Sequence, residues 1–132
     1  MFARDKAVYA FTPATDFGGG DPTTNKKGFL VTLANDTATL SASASVHAEG
    51  VILDPEGTDG KASIGVLGGN IGPVHVRLGG TVAKGAKIQQ GADGRVVTDA
   101  GAGARVVVGL CLEAGVVGEL VEAVLKDPIS LT

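Results

Sequence analysis

The chain has 132 residues, 21 of them glycine, with a net charge of −3 and both signs interspersed. One domain fits that length; glycine far above the usual share of about 7%, without a three-residue period, excludes collagen, and the valine-rich runs between the glycines exclude a disordered tract. A mild negative balance argues against a general nucleic-acid binder, which carries a basic stripe, and no stretch approaches the roughly 18 apolar residues of a membrane helix.

Residues 1–27, "MFARDKAVYAFTPATDFGGGDPTTNKK", hold four of the five aromatic residues, a triple glycine and two prolines. Arg4, Asp5 and Lys6 precede no apolar core of a signal peptide, so synthesis and folding in a reducing cytoplasm are expected. The segment reads as an N-terminal arm and linker, with an extended piece at about 7–12 and Gly18-Gly19-Gly20 as a flexible joint. Phe2, Arg4, Tyr9, Phe11 and Phe17 are the residues expected to contact a partner. Tyr9 and Phe11, two apart, would share one face of a strand.

From residue 28 to 132 the chain reads as one β-rich domain. "GFLVTLAND" is an apolar run closed by an Asn35-Asp36 turn, and "TATLSASAS" alternates as a strand with one solvated face. "EGVILD" ends at Asp54-Pro55, and 54–61 is a loop by composition. "ASIGVL" and "VHVRL" follow, the latter with Val74, Val76 and Leu78 on one face and His75 and Arg77 on the other. "TVAKGAKIQ" suggests two short pieces around Gly85. The Asp93-Gly94 pair between "KIQQ" and "RVVTD" marks a hairpin. "RVVVGLCLE" is a long buried strand. "ELVEAVL" is compatible with a helical turn but is read as a strand, with Pro128 ending regular structure. The fold class expected is therefore all-β, a small barrel or sandwich of glycine-punctuated strands.

The search for chemistry is negative. Cys111 is the single cysteine and reads as a small buried hydrophobe. His47 and His75 stand apart, with no second ligand at metal spacing; a weak ion pair of His47 with Glu49 is the most that spacing suggests. The aspartates sit in turns, where they accept backbone hydrogen bonds. "GVLGGNIG" lacks the Gly-Lys-Ser/Thr ending of a phosphate loop. No catalytic, cofactor or metal site is expected, and the chain is not read as an enzyme.

Residues 50–53 "GVIL", 76–90 "VRLGGTVAKGAKIQQ", 93–97 "DGRVV", 107–112 "VVGLCL" and 118–125 "GELVEAVL" give an order that resembles the small capsid cement, or head decoration, proteins of tailed bacteriophages. The likeness covers about 28–126; this chain departs from the shorter members in its long N-terminal segment and its 54–61 loop. It implies a β-rich homotrimer on the outer capsid surface of the virion, bridging and stabilising neighbouring major capsid subunits, with neither nucleic acid nor membrane as partner. Arm residues would add a strand to a capsid subunit through main-chain hydrogen bonds. The alternative is a small β-barrel binding or carrier module. A carrier needs a lysine at a hairpin tip, where this chain has Arg95; Lys61 is a weaker candidate.

Overall fold

The computed structural model describes residues 8–19, 24–56, 60–68 and 71–132. Their regular structure is all β. Ten strands run in chain order: β1 (Val8–Pro13), β2 (Leu30–Ala34), β3 (Thr37–Leu40), β4 (Gly50–Asp54), β5 (Ala62–Val66), β6 (Pro73–Arg77), β7 (Lys87–Gln90), β8 (Val96–Thr98), β9 (Arg105–Cys111) and β10 (Leu120–Leu131). The first five close a barrel in the order β1-β3-β2-β4-β5, and the other five form a sheet in the order β6-β10-β9-β7-β8.

Two apolar clusters follow from this arrangement. Phe17, Phe29, Val31, Ala38, Ile52, Ala62 and Ile64 fill the barrel, with Phe11 packed against them. Leu30, Ala48 and Val51 join Val76, Leu78, Ile88, Val96, Val106, Val108, Cys111 and Val121 in the layer between barrel and sheet. Neighbours along β2 and β4 thus serve different cores: Leu30 faces the sheet and Val31 the barrel interior, Val51 the sheet and Ile52 the interior. A strand covered on both faces needs an unbroken apolar run, and "FLV" and "VIL" are such runs. The barrel interior takes Phe17 and Phe29, with Phe11 against them, whereas the layer between barrel and sheet is filled with aliphatic side chains and Cys111.

The segment expected to stand apart as an arm is built into the barrel over its described part. β1 pairs antiparallel with β5, Val8 to Phe11 facing Gly65 to Ala62, and parallel with β3 at Thr12 and Pro13. The strand that was expected to be added to a capsid subunit is taken up within the chain: the edge left open between β5 and β3 is itself its acceptor. Nor do Gly18 and Gly19 act as a loose joint. Both take left-handed φ values, 90° and 59°, in a turn held by Lys26 N–H donating to the Phe17 carbonyl at 2.7 Å and Asn25 Nδ2 donating to the Gly19 carbonyl at 3.2 Å.

Three further readings change at their ends. β3 stops at Leu40 although the alternation continues to Ser45, because the buried Gln90 side chain captures the backbone beyond it: Oε1 accepts from Ala48 N–H at 2.7 Å, and Nε2 donates to the Val46 and Ser43 carbonyls at 2.8 and 3.3 Å. The stretch before Gly85 is an isolated bridge between Val82 and Gly115 rather than a strand. β10 continues through Pro128 to Leu131, because its register on β9 shifts between Leu125 and Ile129 and a bulge spares proline the ladder bond that it cannot donate. The Asn35 turn, with φ 55°, and the β7–β8 hairpin around Gly94, with φ 91°, form as expected, and "ELVEAVL" is strand.

Gly109 marks the tightest crossing of β9 and β10. A Cβ there would fall onto the carbonyl of Val124, a backbone group that cannot rotate away. Gly109→Ala should therefore cost roughly 2–3 kcal/mol, the range of an overpacked core. Gly101→Ala, with open space around the added atom but φ at 78°, should cost less, about 1 kcal/mol. Urea unfolding of the two variants checks that order.

Candidate interaction surface

The strands determine which side chains are left for contact. Of the eight large apolar side chains exposed among the described residues, six lie on the β9–β10 hairpin: Leu110, Val116, Val117, Val124, Ile129 and Leu131. Leu110 and Val124 face each other across the ladder. Val116 and Val117 form the hairpin tip, 51% and 59% exposed. The tip is nevertheless fixed: Val116 N–H donates to Glu119 Oε1 at 2.8 Å, Gly118 N–H to the Leu78 carbonyl at 2.8 Å, and Gly115 and Val82 exchange two backbone bonds. Gly118, with φ 88°, supplies the turn. Two adjacent valines held out in water by a rigid turn are an apolar patch on a preformed surface.

The sequence-predicted contact residues separate. Phe2 and Arg4 lie outside the described residues. Phe17 is buried, 1% exposed, as the plug of the barrel. Phe11 is half-buried against the same cluster. Tyr9 is exposed, opposite Ile64 on β5. Beside this segment, Thr12 to Gly19 line a surface groove of about 660 Å³, closed on its other side by Pro55, Glu56 and Gly60.

Two buried polar side chains escaped the sequence reading, which set Arg77 on the strand face opposite Val74, Val76 and Leu78 and did not mark it as buried. Arg77 is 7% exposed. Its guanidinium donates to the Gly118 carbonyl at 3.0 Å and to Asn25 Oδ1 at 3.2 Å, so it ties the hairpin tip to the chain entering β2. Burial pushes its pKa down, and an arginine still keeps its charge. Gln90, described above, does the same for the β3–β4 connection.

The remaining candidates resolve simply. Cys111 is buried; burial, with Glu113 nearby, pushes its thiol pKa up, which leaves it unreactive. His47 meets Ser130 Oγ at 2.6 Å rather than Glu49, whose Oε1 accepts from Leu33 N–H at 2.9 Å. Lys61 is paired with Asp36 at 2.8 Å. The Asp93-Gly94 turn is docked, its Gly94 carbonyl accepting from Leu30 N–H at 2.7 Å.

No protein-family model matches the chain, and no curated protein matches it in sequence. Among solved structures it is similar in fold to the head fiber gp8.5 N base in bacteriophage phi29, with a TM-score of 0.59 and 17% identity over 90% of this chain and 92% of that one. The likeness spans barrel and sheet together.

Asp99 carries an acid dependence. The Arg105 side chain bonded to it, then the Gly101 N–H, hold its pKa below the ordinary carboxylate value. A carboxyl depressed in the folded state stabilises fully above its unfolded value, about 3.9, and loses that contribution as pH falls through the folded value. Asp99→Asn should lower the melting temperature at pH 7, with the gap to the parent chain closing progressively below pH about 4. Thermal melts between pH 7 and 2 measure this.

Proposed function

We propose that the chain is a structural virion protein of a tailed phage, bound to the outside of the capsid as a cement or decoration protein and bridging neighbouring major capsid subunits as a homotrimer. The observation that carries this reading is the fold shared over nine-tenths of its length with a phage head fiber base. The order of glycine-bounded strands, which resembles the cement family, supports it independently. So does the surface: the described residues concentrate exposed apolar side chains on one rigid hairpin. Many copies on a shell would turn modest contacts of this kind into firm attachment.

The carrier alternative has less support. Its hairpin tip would have to swing free, whereas the Asp93-Gly94 turn is bonded to β2 and Lys61 is held by Asp36.

The attachment element follows from the same geometry. Cutting away the first twenty residues would remove β1 and the barrel plug, so loss of binding would report unfolding rather than contact. Val116→Asp with Val117→Asp keeps every described strand and charges the tip. Light scattering should give three times the 13.1 kDa chain mass for the parent protein. Co-sedimentation with phage heads lacking the protein should show saturable binding, weakened at least tenfold in the double variant, since hot-spot apolar contacts are worth about 2 kcal/mol or more. A monomer that ignores heads would contradict the proposal, and full binding by the double variant would move the contact away from the hairpin.

A further inference from the structure

The cross-strand register brings together three side chains far apart in sequence. On the β6–β10 ladder, His75 lies directly opposite Glu122. Glu113 follows β9, and its Oε1 accepts the Glu122 backbone N–H at 2.7 Å. One ligand atom from each of the three residues lies within 4.8 Å of the others, on the solvent side. We propose that His75, Glu113 and Glu122 bind a first-row divalent transition-metal ion of the zinc type.

Four features argue for it. The donor set is mixed: one imidazole nitrogen with carboxylate oxygens suits Zn²⁺ and its neighbours better than Ca²⁺ or Mg²⁺, which prefer oxygen alone. The backbones are fixed by paired strands, and the bond to the Glu122 N–H steadies Glu113 while leaving its second oxygen to bind. Two carboxylates side by side repel, and the ion pairs among the described residues involve neither Glu113 nor Glu122, so a cation is the group that would relieve them. Metal–ligand bonds of about 2.0–2.2 Å put ligands of one ion up to about 4 Å apart, within reach by small side-chain rotations. Three protein ligands leave a position for water or for a donor from another molecule. The two histidines showed no ligand spacing along the chain because the neighbours of His75 come from two other strands' worth of sequence, joined only by pairing.

Titration of the full chain with ZnCl₂ by calorimetry tests the site. One equivalent should bind. His75→Ala and Glu122→Gln should each weaken binding at least about tenfold, and His47→Ala should leave it unchanged. In the unmodified protein, Co²⁺ should shift the imidazole NMR signals of His75 and spare those of His47. Absence of binding at millimolar zinc, affinity that survives His75→Ala, or cobalt shifts centred on His47 would each overturn the proposal.

Discussion

Barrel and sheet are held together by a backbone seam at Gly28. Its N–H donates to the Ile52 carbonyl of the barrel at 2.8 Å, and its carbonyl accepts the Arg77 N–H of the sheet at 3.0 Å. The approach is so close that a Cβ at 28 would meet the Arg77 backbone nitrogen at 2.8 Å and the side chain of Leu120. With φ at 84°, the position also requires a residue free to adopt left-handed backbone. Leu30 continues the seam by donating to the Gly94 carbonyl, and the Arg77 guanidinium closes it from below through Asn25 and Gly118. Once this contact is made, β2 must be apolar on both faces, and each of the two clusters becomes a wall of the other.

That constraint explains what was legible in the sequence. Strand-length apolar runs, the Asn35 and Gly94 turns and the burial of Cys111 were readable, because each depends on a few adjacent residues. The partition into a barrel and a sheet was not, since it rests on Leu30 and Val31 facing opposite ways, which alternation in one short run cannot reveal. The aromatic-rich beginning misled for a related reason. Its composition differs from the rest because the barrel interior has room for Phe11, Phe17 and Phe29, whereas the interlayer core is filled by valines, leucines and isoleucines. Arg77 and Gln90 were hidden by strand parity, which places a polar residue on a face without saying whether that face is later covered.

The candidate surface was less legible than the fold. Val116 and Val117 form part of an ordinary apolar-glycine string, and only the rigid turn that lifts them out distinguishes them from core valines. His75, Glu113 and Glu122 meet through register. Both features lie on the β6–β10–β9 portion of the sheet: Glu122, opposite His75, and Val124, opposite Leu110, alternate along β10 on one face, and Val116 and Val117 stand at the tip of the same hairpin. A stiff two-layer body with its contact groups on preformed strands loses little conformational freedom on binding, as the proposed attachment to a capsid would require.

Native-state hydrogen exchange tests the seam most directly. If it couples the two layers, the amides of Gly28, Leu30 and Arg77 should exchange only through global opening, with the same free energy as the central amides of β9 and β4. Seam amides that exchange through a lower-energy opening, while β9 and β4 stay protected, would show that barrel and sheet stand independently and contradict the account.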